Sequence, residues 1–251
     1  LLGAGPNLKS AFESEADLFN LTVMSVGFIG GTSIARSNLF DVWATEWIET
    51  RYGPVSVKVS DDHYLINRHG FETPVPPHSI NYRANLQSMK DLGVEAIVSL
   101  QSVGSLKPDL PPGTMISCND YVSFAPITFS DDQATAFAPN VPNNLIPRIV
   151  DAFDQEILTG KVYIQTRGPR FETKAEVRIL QLWGDVVGMT MAHEADLANE
   201  LGIPYNSLCM IDNYAHGLES EALSEETFHR QVAVNLEKVQ ALFRCMLKVL
   251  V

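Results

Sequence analysis

KVYIQTRGPRFETKAE, residues 161–176, contains the change of pattern on which the fold turns. KVYIQ is an apolar run that reads as a strand; Gly168 and Pro169 break it; Arg170, Phe171 and Glu172 then stand at the mouth of a helical pattern. A strand passing through such a break into a helix is the repeating unit of an α/β protein. The alternation continues outward on both sides. Apolar runs at 26–29, 55–59, 64–67, 95–100, 185–189 and 207–211 read as further strands, several with the unbroken hydrophobicity of strands buried on both faces. Helical patterns lie between them at 80–93, 143–157 and 192–202, the first and last closed by Gly93 and Gly202. In the final segment Phe228, Val232, Leu236, Val239, Phe243, Met246 and Leu250 recur at steps of three or four, which makes one apolar helix face laid over the sheet. Ser224 is placed to cap that helix, and Glu225 and Glu226 suit its positive end. The expected fold is α/β: a single domain with a twisted, mainly parallel mixed sheet flanked by helices. The stretch 101–142, rich in Pro, Asp and Ser, predicts long loops.

Composition narrows the function. The 251 residues suit one large α/β domain, and 45% hydrophobic content is enough to bury a core. A formal charge of −12 argues against nucleic acid as a partner, because a phosphate backbone needs a basic face. No apolar run approaches the roughly 18 residues of a membrane span. Cys118, Cys209 and Cys245 are too scattered for a disulfide framework and predict reduced thiols in a cytoplasmic protein. Residues 1–23 lack the basic start and cleavage site of a secretory signal and are expected to be an N-terminal extension outside the domain, which is taken to run over 24–251.

The strand ends carry the chemistry. The first is followed by Gly30-Gly31-Thr32-Ser33, which is not the GxGxxG of a dinucleotide fold but can turn backbone N–H groups and hydroxyls toward an anion; a tight turn is the competing reading. Arg68-His69-Gly70 can clamp a phosphate or form a surface pair at a turn. Gln101 and Ser102 stand where the run 95–100 ends, and Thr190 precedes a helix start, where anions bind. Asp212-Asn213 closes the last strand. Five polar, Gly-containing ends on one sheet point to a ligand site at its carboxyl edge. At the opening stretch two readings stand: Glu172 caps a helix, or Phe171 and Glu172 hold a flat ligand by its face and its edge.

In order and spacing, GGT (30–32), RHG (68–70), INYRAN (80–85), GSL (104–106), GPRFETKAE (168–176), VVGMT (186–190) with Glu194, and DNYAHG (212–217) resemble the trimeric purine nucleoside phosphorylase and methylthioadenosine phosphorylase family. The resemblance implies phosphate-dependent cleavage of a purine nucleoside to free base and ribose 1-phosphate. Inorganic phosphate is then a co-substrate, with no cofactor and no metal. It implies that Thr32, Arg68, His69, Ser102 and Thr190 hold phosphate, that Phe171 packs on the base and Met189 lies under the ribose, and that Glu172 and Asn213 read the base edge and act in catalysis. Phe228 or His229 would meet the 5′ substituent. A homotrimer is implied, with Phe137 the candidate contact to a neighbouring subunit. Relatives commonly carry Thr-Ala or Asn-Ala where this chain has Gln101-Ser102, and Pro where it has His193; Arg167 is a further departure. Because Asn213 and Ala215 replace the two Asp residues of adenine-preferring relatives, 6-oxopurines are the expected bases. The alternatives are methylthioadenosine phosphorolysis, hydrolysis by a nucleosidase of related architecture, and purine binding without turnover.

Overall fold

The computed structural model describes residues 24–250 apart from 35, 36, 62, 133–135 and 220–222, so the expected N-terminal extension lies outside the described residues. The strands are β1 (Val26–Gly30), β2 (Ala44–Thr50), β3 (Gly53–Ser60), β4 (His63–Asn67), β5 (Ala96–Ser105), β6 (Met115–Val122), β7 (Ile157–Gln165), β8 (Val186–Gly188) and β9 (Tyr205–Tyr214). The helices are α1 (Tyr82–Asp91), α2 (Ile146–Ala152), α3 (Lys174–Leu180), α4 (Met191–Leu201) and α5 (Glu225–Val249). The strands form one sheet in the order β2-β3-β4-β1-β5-β8-β7-β6-β9. β9 also pairs with β5, so the second half of the sheet curls back on its middle strand. Parallel pairings join β1 to β4 and β5, β5 to β9, and β7 to β6 and β8; the rest are antiparallel.

Alternation along β5 shows how the layers are filled. Ile97 and Val103 pack with Leu86 and Met89 of α1 and with Met191, Ala195 and Ala198 of α4. Val98 and Leu100 pack on the other face with Ile149 of α2 and Val239, Phe243 and Met246 of α5. Ser99 and Gln101 therefore share the α4 face and Ser102 the α5 face, the period-two consequence of a pleated strand. α5 starts as the sequence predicts, on a capping box in which the Ser224 side chain accepts from Thr227 N and the Thr227 side chain accepts from Ser224 N. Gly93 and Gly202 close their helices at φ 74° and 68°, where a side chain would be strained. Cys118 and Cys209 are buried free thiols with their sulfurs 3.9 Å apart.

Two expectations are corrected. The stretch 101–142 is not loop throughout: β5 continues to Ser105, and β6 occupies Met115–Val122. The polar residues of β5 sit inside the ladder because strand pairing uses the backbone, and the side chains find partners on either face. The helix expected at 143–157 shortens to Ile146–Ala152, after which Ile157 opens β7.

Candidate active site

The opening stretch resolves first. α3 is capped by Thr173, whose hydroxyl accepts from Glu176 N while Glu176 returns the bond to Thr173 N. Glu172 takes no part in the cap. Its carboxylate is 7% exposed and accepts a 2.7 Å hydrogen bond from Thr166 Oγ1 at the end of β7. Oε2 has no hydrogen bond among the described residues, and Glu172 lines a cleft of about 400 Å³ with Thr166, Arg167, Arg170 and Phe124. Gly168 brings the chain against Met189: a Cβ there would fall 2.4 Å from the Met189 sulfur. Phe171 meets Phe228 of the first turn of α5 edge-on, with ring centroids 6.1 Å apart. The ring of His229 turns along the helix, its Nε2 3.6 Å from Glu225. Asn213 is the penultimate residue of β9, paired with Gly104 of β5, where a Cβ would fall 3.1 Å from the Asn213 amide nitrogen. The structure thus gathers Glu172, Met189, Phe171 and Phe228 around the β7–α3 turn, and sets Asn213 at the neighbouring strand end.

The second cluster centres on Arg68, 3% exposed at the end of β4. Its Nε donates to Glu194 Oε1 at 2.6 Å. Its Nη2 donates to Ser99 Oγ at 2.9 Å and to the carbonyl of Leu100 at 3.0 Å. Burial pulls the guanidinium down, and the charge and hydrogen bond of Glu194 more than offset it, so it stands above its ordinary value. Nη1 makes no hydrogen bond among the described residues and faces the turn after β1: a Cβ on Gly31 would fall 2.4 Å from it and 3.6 Å from His69 Cδ2. Glycine at 31 lets the guanidinium lie directly against that turn, next to the half-buried Thr32. His69 donates from Nδ1 to the Val75 carbonyl at 2.9 Å. Burial and then the Arg68 charge lower its pKa.

Glu194, on α4, is the residue that sequence reasoning left without a role. It also accepts from Ser99 Oγ at 2.6 Å, Tyr205 Oη at 2.7 Å and Gln101 Nε2 at 2.9 Å. A carboxylate in the first turn of α4, between Ala192 and Ala195, was the available signal. Thr190 precedes α4, and its hydroxyl donates to Gln101 Oε1. Three N–H groups at the helix start already have partners: Thr190 N and Met191 N point to the Tyr163 hydroxyl at 3.1 and 3.3 Å, and Ala192 N to Gln165 Oε1 at 3.0 Å. Beyond Met189 and His193 lies a cleft of about 700 Å³, bordered by Tyr82, Arg83 and the segment 123–128. The His193 ring stands edge-on to Tyr82 at 5.1 Å, and burial lowers its pKa.

Ser102 stands apart from the Arg68 cluster. Its hydroxyl donates to Asp212 across the α5 face, and Asn235 of α5 donates to the other Asp212 oxygen at 2.7 Å. Asp212 occupies a bulge where the β5–β9 register skips from Ile211 to Asn213. Burial raises its pKa from 3.8 to about 6, against the opposing effect of those two hydrogen bonds. A carboxyl raised in the fold stabilises the fold while protonated; that contribution is complete below its unfolded value and is lost as pH rises through about 6. Asp212→Asn keeps both partners and removes the charge. It is expected to raise stability by about 2–3 kcal/mol in mildly alkaline buffer and to change it little in acid near the unfolded pKa. Thermal unfolding of both proteins at the two pH values measures this, and an equal difference at both would refute it.

With this geometry in place, comparison with known proteins is informative. Residues 43–248 match the model of the phosphorylase superfamily. The chain is 41% identical over 236 residues to a probable S-methyl-5′-thioinosine phosphorylase of Methanocaldococcus jannaschii, covering 89% of each. It is 37% identical over 210 residues to a probable 6-oxopurine nucleoside phosphorylase of Archaeoglobus fulgidus, covering 79% of this chain and 85% of that one. Its fold superposes on a methylthioadenosine phosphorylase of Schistosoma mansoni, solved with adenine, at a TM-score of 0.75 with 23% identity, over 88% of this chain and 89% of that one. A buried arginine facing a glycine turn, a buried glutamate at the β7–α3 turn and a family match across most of the chain agree: this protein belongs to the phosphorylase superfamily.

Proposed function

We propose that the protein cleaves the glycosidic bond of 6-oxopurine nucleosides with inorganic phosphate, releasing the free base and a ribose 1-phosphate. The observation that carries this reading is Arg68, a buried guanidinium whose Nη1 lies against the Gly31 turn and makes no hydrogen bond among the described residues. Hydrolysis by water has no use for such a cation. As the glycosidic bond stretches, positive charge gathers on the ribose and negative charge on the purine. A phosphate beside Arg68, Thr32 and His69 stabilises the first. The Asn213 amide, donating to N7 or O6, stabilises the second, and Glu172 accepts from N1–H. Thr190 borders the anion, Met189 lies under the ribose, and Phe171 packs on the base, whereas the Ser102 hydroxyl is turned away to Asp212. Phosphate is the co-substrate, and the reaction draws on no metal or cofactor. The relatives named above as S-methyl-5′-thioinosine and 6-oxopurine nucleoside phosphorylases support the same class. Product formation with and without phosphate tests it: ribose 1-phosphate appearing only with phosphate is expected, and equal rates in phosphate-free buffer would replace phosphorolysis by hydrolysis.

At the 5′ end, Phe228 rather than His229 faces Phe171, which favours an apolar methylthio group over a hydroxyl. A homotrimer fits the exposed apolar surface beside the Glu172 cleft. There Phe124 and Trp183 touch at 5.3 Å between centroids while 70% and 46% exposed, and Leu182 is 81% exposed. Phe137, 42% exposed, is the residue proposed to reach a neighbouring subunit. Sedimentation is expected to give a trimer; a fully active monomer would overturn that assembly. Among the described residues no helix is long and apolar enough to cross a membrane.

A further inference from the structure

We propose that Gln101 makes the anion site selective for an oxyanion that carries its own proton, so that it takes phosphate and rejects sulfate. The inference rests on the phosphate-dependent reading above and adds a discriminating residue to it. Each side chain around the anion has a fixed stock of donors and acceptors. Glu194 is a carboxylate and can only accept. Gln101, 1% exposed, must therefore turn its amide nitrogen toward Glu194 Oε2, 2.9 Å away, and toward Ser99 Oγ at 2.7 Å. Ser99 cannot reverse this, because its own proton goes to Glu194. The amide oxygen of Gln101 is left facing Thr190, and a carbonyl oxygen can only accept. The single proton of the Thr190 hydroxyl is thus committed to Gln101. What Thr190 offers any further partner is a lone pair.

His69 adds to the same polarity. Its Nδ1 proton goes to the Val75 carbonyl, and with its pKa lowered the ring presents a bare Nε2. The N–H groups of Thr190, Met191 and Ala192 are held by Tyr163 and Gln165, so these three do not restore a donor. The site combines a cationic donor, Arg68 Nη1, with acceptors at Thr190 and His69. Hydrogen phosphate meets that set better than an unprotonated anion: three oxygens can accept, and its one P–OH donates to one of the two lone pairs. Sulfate has the same shape and charge in mildly alkaline buffer but no proton to give. It must face a lone pair, or break the Thr190–Gln101 bond and strand a buried carbonyl oxygen. Either alternative weakens binding by roughly tenfold to a hundredfold.

Calorimetric titration of the whole protein with phosphate and with sulfate, in mildly alkaline buffer at equal ionic strength and without nucleoside, tests this. The wild-type protein is expected to bind sulfate at least roughly twentyfold more weakly than phosphate. In Gln101→Ala the Thr190 proton is released, and the ratio is expected to fall to about threefold, chiefly through tighter sulfate binding. Thr190→Val removes the lone pair itself and is expected to narrow the ratio as well, which keeps the test open if Gln101→Ala does not fold. Equal binding of the two anions by the wild-type protein, or a ratio unchanged in both variants, would overturn the role of Gln101 alone. Absence of any phosphate binding would overturn this inference together with the phosphorolytic reading.

Discussion

Arg68→Lys is expected to leave a folded protein whose KM for phosphate is raised at least roughly a hundredfold, with the KM for nucleoside nearly unchanged. The guanidinium does two jobs with different edges. Nε and Nη2 are spent on Glu194, Ser99 and backbone carbonyls, and Nη1 is what remains for the anion. A lysine ammonium keeps the charge beside Glu194 but cannot span both directions from one point. Arg68→Ala is expected to fail differently. It leaves Glu194, 1% exposed, without its counter-charge, and breaking a buried pair by removing one partner costs about 3–5 kcal/mol. In a protein of this size that is a fall in Tm of roughly 6–20 °C. Steady-state kinetics on the lysine variant and thermal unfolding of the alanine variant separate the roles. Unchanged phosphate dependence in a folded Arg68→Lys would remove Arg68 from the anion site.

Base choice should show the other large effect. Inosine- or guanosine-type nucleosides are expected to exceed their adenosine counterparts by at least roughly a hundredfold in kcat/KM. Hypoxanthine and guanine present a donor at N1 and an acceptor at O6; adenine reverses both. Glu172 already accepts from Thr166 through Oε1, so Oε2 is the oxygen left to meet N1–H. With adenine this carboxylate, 7% exposed, would face a lone pair. Glu172→Gln still accepts from Thr166 through its amide oxygen and offers an N–H₂ to N1. It should therefore depress 6-oxopurine cleavage and raise adenine cleavage, narrowing or inverting the ratio. Asn213→Asp should narrow the ratio by loss of the donor to O6 or N7. If the wild-type protein cleaves methylthioadenosine as fast as methylthioinosine, the roles of Glu172 and Asn213 are wrong.

The parts of this picture that sequence carries are those with a period. The strands at 26–29, 55–59 and 64–67, the glycine-closed helices and the capped last helix follow from spacing, and they lie where spacing puts them. β6, with Cys118, Asn119 and Asp120 in its middle, has neither clean alternation nor an apolar run, so only its partners β7 and β9 reveal it. The site was legible as a collection of polar strand ends, because the carboxyl edge gathers them whatever their side chains do. Which way each side chain turned was not legible. Gln101 and Ser102 are neighbours in sequence, yet one joins Glu194 and the other Asp212, on opposite faces of the same strand. Likewise, the capping reading of Glu172 fails because Thr173 and Glu176 make the cap between them.

The sealed start of α4 bears on how phosphate arrives. With those N–H groups closed off, the attraction assigned to the anion is concentrated in one buried guanidinium edge, inside a chain of formal charge −12. Arg68 is itself neutralised at a distance by Glu194, so from beyond a Debye length an approaching dianion meets a negative body and no beacon. Capture is strong only within the last few ångströms. Long-range electrostatics therefore slow the encounter instead of steering it, and added inert salt, which usually retards the binding of an ion to its enzyme, should here hasten it.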